Sequence, residues 1–427
     1  MFNLLDDLVS AQKRGECRGI PSICSAHAWV LKAAMQIGSG PLLIESTCNQ
    51  VNQFGGYTAM TPQDFAMYVR DLATEKDYPN EKLILGGDHL GPSPWQDEPA
   101  ESAMHKAEQL VRDCVKAGYT KIHLDASMPL GDDDPSQPLD VKLSARRTTR
   151  LAKAAESACP NPVLAGGLRY VIGSEVPPPG GATVHEDAVH VTRVADVRDM
   201  LEVTQAEFLR QGLGSAWERV IALVVQPGVE FGDDFVLDYD PTSAYDLSLF
   251  STTTPFVYEA HSTDYQTAEN LQNLVRDHFA ILKIGPALTF AFREAVFALT
   301  LVENELIPAD QRSRLGEVLD EAMLREPKYW LSHYHGTTQQ QAFARKYSLS
   351  DRVRYYWAHP EVQAAFNILI RNVGDKPIPL SLVSQFFPCH QSLIREGRLT
   401  NSAEVILTES ILFVLQDYIR ACRVDPH

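Results

Sequence analysis

Short apolar runs that end in glycine or polar residues recur along the first two thirds of the chain. The clearest is LILGGDHLG (83–91), in which an apolar run is followed by two glycines, a carboxylate and an imidazole. Seven similar runs lie at 19–28, 41–50, 121–127, 163–177, 220–230, 256–264 and 280–288. This pattern is typical of buried strands that deliver polar side chains at their carboxyl ends. Gly86, Gly87 and Gly91 would let the backbone bend, so that Asp88 and His89 reach one pocket.

Segments of helical period separate these runs. In the clearest, Thr61 is a plausible N-cap, Pro62 takes the first helical position, and apolar residues follow with helical spacing. Strand, polar tip and helix repeated eight times predict an α/β fold, a (β/α)8 TIM barrel. The alternative is a doubly wound open sheet, which would normally carry a glycine-rich phosphate loop after its first strand. Residues 19–28 contain no such loop, so the barrel is favoured.

The character of the chain changes near residue 289. Residues 289–306 are apolar on more than one helical face, which suits burial between the barrel and a further layer. Several helical segments follow, with breaks at Pro327, Gly336 and Pro360, and few strand signals. We therefore predict a barrel over 1–300 and a helical extension over 301–427.

Composition narrows the classes of partner. The chain has 427 residues and a formal net charge of −17, which argues against nucleic acid or an anionic membrane. Its seven cysteines are scattered without a CxxC pair, so neither a disulfide framework nor a thiolate zinc site is indicated. No run approaches the roughly 20 apolar residues of a membrane span. A cytoplasmic protein is expected.

Polar groups follow each of the predicted strands from the second to the eighth. They are Glu45, Asn49 and Gln50; Asp88 and His89; Asp125 and Ser127; Glu175; Gln226 and Glu230; Glu259 and His261; and Lys283. In a barrel, strand ends converge on one pocket, so these residues form a single candidate site.

The imidazoles and carboxylates of this set suit a divalent cation. We predict His89 and His261 as ligands, with Glu175 and Glu230 supplying carboxylates and a position left open for substrate. Zinc is favoured, and manganese and cobalt are alternatives. Glu259 alternates with His261 and would orient its imidazole. The structural alternative for His261 is a core histidine satisfied by hydrogen bonds.

Other members of the set suit proton transfer and sugar binding. Asp88 and Asp125 are predicted to move protons. Lys283 could form a Schiff base, neutralise a phosphate or enolate, or simply pair with a barrel carboxylate. The remaining predicted substrate-binding residues are Glu45, Asn49, Gln50, Ser127 and Gln226. The amides among them would read hydroxyl groups, or else satisfy loop backbone. Arg169, Lys283 and Arg293 are candidates for holding a phosphate.

Long stretches of the chain resemble a known family. They are LIESTCNQVNQFGGYT (43–58), GGDHLGP (86–92), YVIGSEVPPPGG (170–181), VVQPGVEF (224–231), EAHSTDYQT (259–267) and LKIGPALTFAFREA (282–295). The chain is similar in these to the Z-type subunits of tagatose-1,6-bisphosphate aldolase. The resemblance implies a TIM barrel related to class II, metal-dependent aldolases, with a role in galactitol, N-acetylgalactosamine or tagatose catabolism. It also implies a Y-type partner subunit. A homo-oligomer is expected as well.

Within this resemblance, Asp88-His89 is similar to the catalytic aspartate and metal-binding histidine of class II aldolases. His261 is similarly placed to a second ligand, whereas Gln226 and Glu230 stand where the remaining histidine is expected. Relatives are also labelled tagatose-6-phosphate kinase, but the sequence contains no nucleotide-binding glycine loop. We predict an aldolase component with a metal-dependent pocket for a ketose or ketose phosphate. The alternatives are a C4 epimerase of ketoses or uronates, and a non-catalytic partner that stabilises a Y-type subunit.

Overall fold

The computed structural model describes residues 3–37, 40–134, 136–159, 165–173, 189–374 and 376–422. Its strands are Ile20–Ile23 (β1), Leu42–Thr47 (β2), Leu83–Leu90 (β3), Lys121–Leu124 (β4), Arg169–Gly173 (β5), Val220–Val224 (β6), Glu230–Phe231 (β7), Val236–Leu237 (β8), Val257–Ala260 (β9) and Phe279–Ile284 (β10).

The α-helices within these ranges are Leu4–Lys13 (α1), Ala28–Ala34 (α2), Pro62–Glu75 (α3), Ala100–Lys116 (α4), Val141–Ala158 (α5), Val194–Arg210 (α6), Gly214–Trp217 (α7), Tyr245–Thr252 (α8), Ala268–Arg276 (α9), Pro286–Leu306 (α10), Leu315–Arg325 (α11), Thr338–Tyr347 (α12), Pro360–Gly374 (α13), Leu380–Phe386 (α14), Pro388–Arg395 (α15) and Ala403–Cys422 (α16).

Eight of the strands form a closed parallel barrel in the order β1-β10-β9-β6-β5-β4-β3-β2. All eight predicted runs supply a barrel strand, so the (β/α)8 prediction is confirmed. Strands such as β2, β5 and β10 are buried along their whole length, because side chains fill the barrel on one face and helices cover the other. β7 and β8 form a short antiparallel hairpin outside the barrel.

The first helix closes the amino-terminal end of the barrel. Leu5 and Leu8 of α1 pack on apolar residues at the starts of the strands, among them Ile20 and Ile84. Arg169, at the start of β5, donates hydrogen bonds to the carboxylate of Asp6 in α1. This places Arg169 at the end of the barrel opposite the strand tips, so the suggestion that it holds a phosphate there is wrong.

The carboxyl-terminal helices pack directly on the barrel. α10 follows β10 and crosses residue 300, and α16 packs against α2, α9 and α10. The Tyr418 hydroxyl in α16 donates to the carbonyl oxygen of Thr263 at 2.5 Å. α2 and α9 are the first and seventh barrel helices. α16 packs against both, so it lies at the position expected for the eighth barrel helix. The division of the chain near residue 300 stays a prediction.

The seven cysteines are all free thiols. Among the helices of the described ranges, none combines the length and the apolar character needed to cross a membrane.

Candidate functional site

The tip of β3 brings two polar side chains to one cavity. The register between β3 and β4 shifts between Gly87 and Leu90, and His89 adopts a positive φ of 48°. This bulge lets both Asp88 and His89 line the cavity at the carboxyl ends of the strands. Gly91 is required next to it, because a Cβ there would lie 1.7 Å from the carbonyl oxygen of Asp125.

Four buried side chains in this region could hold a metal ion. Asp88, His123, Glu259 and His261 each offer a ligand atom, and these atoms lie within 4.8 Å of one another. We call these residues the four-donor cluster. Two imidazoles and two carboxylates suit zinc, manganese or cobalt. The Nε2 atom of His123 is buried and has no hydrogen-bond partner in the described part of the chain, as expected of a nitrogen that meets a ligand on binding.

The protonation of the four-donor cluster favours cation binding. Burial lowers the pKa of His261 to about 3, so its imidazole is neutral and keeps a free lone pair. Burial opposes ionisation of Asp88, but Lys283 and the neighbouring imidazoles hold the pKa of its carboxyl well below the usual range. Glu259 accepts from His261 Nε2 at 3.0 Å, as expected from their alternation along the strand.

Two lysines pair with the carboxylates of the four-donor cluster. Lys121 Nζ is 2.7 Å from Glu45 Oε1 and 2.5 Å from Glu259 Oε2. Lys283 Nζ is 3.0 Å from Glu45 Oε1 and 2.9 Å from Asp88 Oδ1. Glu45 therefore lies below the cavity as the partner of both ammonium groups, rather than in its wall.

Burial opposes the charge of Lys283, but the carboxylates of Asp88, Glu259 and Glu45 raise the pKa of its ammonium group. A protonated amine is not a nucleophile, so these contacts favour the ion-pair interpretation of Lys283 over a Schiff base. Lys283 also lines the cavity.

The balance of buried charge leaves room for a divalent cation. The carboxylates of Glu45, Asp88, Asp125 and Glu259 are all buried, as are the ammonium groups of Lys121 and Lys283. The four carboxylates outnumber the two ammonium groups by two, before any charge on the imidazoles is counted. Buried charge is costly unless it is paired, and one divalent cation would neutralise it.

His89 lies beside the four-donor cluster rather than within it. Its Nδ1 is 2.8 Å from Asp125 Oδ2, and Asp125 Oδ1 accepts hydrogen bonds from the backbone and hydroxyl of Ser127. Burial disfavours a charged imidazole, but the carboxylates of Asp88 and Asp125 raise the pKa of His89. A cavity-lining imidazole held by a carboxylate can accept and return a proton.

The other residues predicted for the site are distributed differently. Asn49 and Gln50 line the cavity, and the Gln50 amide also hydrogen-bonds the backbone of Thr47 and Cys24. Gln226 is not among the lining residues; its side chain accepts from the backbone of Gly228 and Val229.

One predicted carboxylate ligand, Glu230, and one phosphate candidate, Arg293, also differ in position. Glu230 is in β7, where its Oε1 accepts from the Phe231 backbone, and it is not part of the four-donor cluster. Glu175 falls outside the described residues. Arg293 pairs with the buried carboxylate of Asp351 at 3.0 Å, so the suggestion that it holds a phosphate is wrong.

The cavity above the four-donor cluster has a volume of about 480 Å³. Its wall includes residues that were not predicted, namely Tyr329, Arg354 and Tyr355 from the carboxyl-terminal segment. His123 as a candidate ligand was also missed. Its signal is present in the sequence, because Lys121, His123 and Asp125 alternate and so point to one face of β4.

Comparison with known proteins gives consistent similarities. D-tagatose-1,6-bisphosphate aldolase subunit GatZ of Salmonella heidelberg (strain SL476) is 50% identical over 99% of this chain and 100% of its own length. The subunit of the same name from Salmonella gallinarum is 49% identical with the same coverage. A crystal structure of a probable tagatose 6 phosphate kinase from Sinorhizobium meliloti 1021 is 44% identical and superposes with a TM-score of 0.87, covering 95% of this chain and 100% of that one.

The family match spans nearly the whole chain. Residues 5–423 match the family described as D-tagatose-1,6-bisphosphate aldolase subunit GatZ/KbaZ-like. The match includes every barrel strand and both histidines of the four-donor cluster. Together with relatives at half identity over their full length, it shows that the chain belongs to the GatZ/KbaZ-like family of D-tagatose-1,6-bisphosphate aldolase subunits.

Proposed function

We propose that this chain is a metal-dependent aldolase component that cleaves the C3–C4 bond of a ketose, with D-tagatose 1,6-bisphosphate as the first candidate substrate. The observation that carries the proposal is the buried four-donor cluster, of which Asp88 and His261 line the cavity. Zinc is the proposed cation, with manganese and cobalt as alternatives. When bound, such a cation polarises the ketose carbonyl and its neighbouring hydroxyl.

The surrounding side chains supply the proton transfers. His89, held by Asp125, takes the proton from the C4 hydroxyl as the C3–C4 bond breaks and its electron pair moves into the C2–C3 enolate. The Lys283 ammonium group lies close enough to the cluster to stabilise that negative charge. Asn49 and Gln50 would orient sugar hydroxyls from the wall. Returning the proton to C3 completes the cleavage.

This assignment changes the roles predicted for two neighbours. Asp88 belongs to the four-donor cluster and pairs with Lys283, which supports a ligand role rather than proton transfer. His89 is outside the cluster and has a carboxylate behind its ring, which supports proton transfer rather than ligation. Re-addition of the aldehyde after rotation would give C4 epimerisation by the same groups. The kinase name of the structural neighbour is not carried over, since the sequence contains no nucleotide-binding glycine loop.

A second candidate function follows from membership of a family of aldolase subunits. In that case the chain would stabilise a separate Y-type catalytic subunit. The free cysteines support a reducing, cytoplasmic location for either role. A homo-oligomer stays a prediction.

Purified full-length chain tests both candidates. After chelator treatment, zinc is added back and D-tagatose 1,6-bisphosphate is supplied, with triose phosphates and C4 epimers measured separately. We expect metal-dependent turnover by the chain alone, and its loss in His261→Ala. A chain that holds no metal, turns over no ketose, and yet raises the activity of an added Y-type subunit would overturn the lyase proposal and support the partner role.

A further inference from the structure

Arg354 lies in the wall of the cavity, and its guanidinium group forms no ion pair with a carboxylate of the described residues. It belongs to the 3-10 turn Arg352–Tyr355 of the carboxyl-terminal segment. Its Nη1 donates to the backbone carbonyls of Ser350 and Asp351, the latter at 3.0 Å, and its Nη2 donates to the Tyr355 hydroxyl at 3.0 Å. These acceptors fix the guanidinium group but carry no charge.

The nearest acidic side chain on this turn is already paired. The carboxylate of Asp351 lies 3.0 Å from Arg293 Nε and accepts from Thr289 Oγ1 at 2.5 Å. Within the described ranges, no carboxylate lies within 4.0 Å of the Arg354 guanidinium nitrogens, whereas Arg147, Arg293 and Arg345 each have such a partner. Asp264 and Asp351 act on the charge of Arg354 from a distance, but neither carboxylate forms an ion pair with it, so its guanidinium group can still pair with an anionic ligand.

The other cationic features of the cavity are in use. Lys283 pairs with Glu45 and Asp88. The amino end of α10, where barrels of this kind often bind phosphate, is occupied by Asp264, whose Oδ1 accepts from the backbone of Gly285 at 3.0 Å and Ala287 at 2.8 Å. A carboxylate there would repel a phosphate. Among the described residues of the wall, Arg354 is the remaining cation.

Aromatic rings complete this part of the wall. The rings of Tyr57 and Tyr355 meet edge to face at 4.5 Å, and Tyr329 stacks on Tyr355 at 4.7 Å. The Arg354 guanidinium lies 4.5 Å from the centre of the Tyr355 ring. Rings and guanidinium thus hold one another in place, which lowers the entropic cost of binding a ligand.

We infer that Arg354 binds the anionic terminus of the sugar, a phosphate or a carboxylate, while the four-donor cluster binds its carbonyl end. The inference rests on the proposed function and names its substrate class as a negatively charged ketose. The preference for a charged over a neutral sugar would then come from the carboxyl-terminal segment, which carries Arg354, rather than from the barrel loops. Guanidinium groups suit this role, because their planar N–H groups match phosphate and carboxylate oxygens.

Three variants test the inference in the full-length, zinc-loaded protein. Arg354→Gln removes the charge, Arg354→Lys keeps it, and Arg352→Gln is a matched control. Arg352 is on the same turn and donates to the Tyr329 carbonyl, but it does not line the cavity. Binding of D-tagatose 6-phosphate, D-tagaturonate and neutral D-tagatose is measured by calorimetry.

We expect Arg354→Gln to lose roughly 10- to 100-fold in affinity for a charged sugar, the range of one charge-assisted hydrogen bond, with neutral D-tagatose little changed. Arg354→Lys should retain part of the affinity, and Arg352→Gln should bind like the wild type. The sugar that loses affinity shows whether the anion is a phosphate or a carboxylate.

The inference is overturned if the wild type does not prefer charged sugars. It is also overturned if Arg354→Gln keeps that preference, or if Arg352→Gln loses as much. Binding is measured without turnover, so the proposed function can fail separately. A chain that shows no lyase activity but whose charge preference disappears in Arg354→Gln would retain this inference alone.

Discussion

At the scale of single residues, the site depends on which way each side chain points. On β4, Lys121, His123 and Asp125 alternate and all enter the barrel. On β3 the alternation fails, because the positive φ of His89 turns two consecutive side chains toward one cavity. Such a backbone conformation costs a non-glycine residue about 1–3 kcal/mol and is kept where surrounding structure enforces it.

The two histidines at these tips should therefore respond differently to mutation. Loss of a residue that only hydrogen-bonds a metal ligand lowers metal affinity by roughly 10- to 100-fold. In His123→Ala we expect zinc affinity to fall by more than this, because a candidate ligand itself is removed. In His89→Ala we expect the fall to stay within that range, while turnover is lost. Competition with a chromophoric chelator measures the affinities. Equal loss of zinc in both variants would restore His89 as a ligand.

At the scale of elements, the buried carboxyl group of Asp264 caps the start of α10 where it follows β10. Asp264 accepts from two backbone N–H groups at the start of α10, and Thr263 beside it donates to the carbonyl of Lys283 at 2.6 Å. Burial raises the pKa of Asp264 to about 6, even though the two backbone donors favour its charged form. Ionisation of this carboxyl group is thus less favourable in the folded protein than in the unfolded chain.

The free energy of unfolding should depend on pH because of Asp264. A pKa raised from 3.8 to about 6 means that the folded state binds a proton more tightly. The resulting stabilisation is complete below pH 4 and is lost as pH rises through 6, by at most about 3 kcal/mol. Asp264→Asn keeps an oxygen acceptor without the charge. Its free energy of unfolding relative to wild type should therefore rise between pH 4.5 and 7.5 in urea titrations.

Asp240→Asn is the control for this comparison. Hydrogen bonds from Ser243 and Thr242 lower the pKa of the Asp240 carboxyl, so its contribution has the opposite sign. A relative stability of Asp264→Asn that does not change with pH would contradict the expectation.

At the scale of the whole molecule, the carboxyl-terminal segment is part of the site and of the barrel wall. α16 packs between α2 and α9, and its Tyr418 reaches the loop that carries His261 and Asp264. The same segment supplies Arg354 to the cavity. The barrel and the segment therefore depend on each other.

Shortening the chain should show this dependence. A chain ending at residue 402 lacks α16, and we expect it to lose cooperative thermal unfolding because the apolar faces of α2 and α9 become exposed. Tyr418→Phe is the milder change. It removes one of the two donors to the buried Thr263 carbonyl, which keeps the Gln266 backbone N–H at 3.3 Å, and should lower the free energy of unfolding by about 0.5–1.5 kcal/mol.

Tyr245→Phe provides the matched control, because Tyr245 is 64% exposed and its loss of a hydroxyl should change stability by less than about 0.5 kcal/mol. A chain ending at residue 402 that unfolds cooperatively at the wild-type temperature would show that α16 is dispensable.

The sequence by itself determined the barrel and the end of it that carries the site. Eight apolar runs with polar tips suffice to predict a barrel, and the carboxyl ends of its parallel strands all lie at the end that carries the site. The N-cap at Thr61 was also readable, and it forms a capping box with Asp64. Asp88, His89 and His261 were placed at the cavity for the same reason.

Only the tertiary structure decided how these groups combine. The bulge in β3 places His89 beside Asp125, and closure of the barrel lets Lys121 of β4 meet Glu259 of β9 in its interior. Arg354 lies on a short turn between helices of the carboxyl-terminal segment, and no hydrophobic periodicity in the sequence predicts that this turn faces the cavity. These contacts join residues far apart in the chain, and their geometry depends on the packing of the whole molecule rather than on any local pattern.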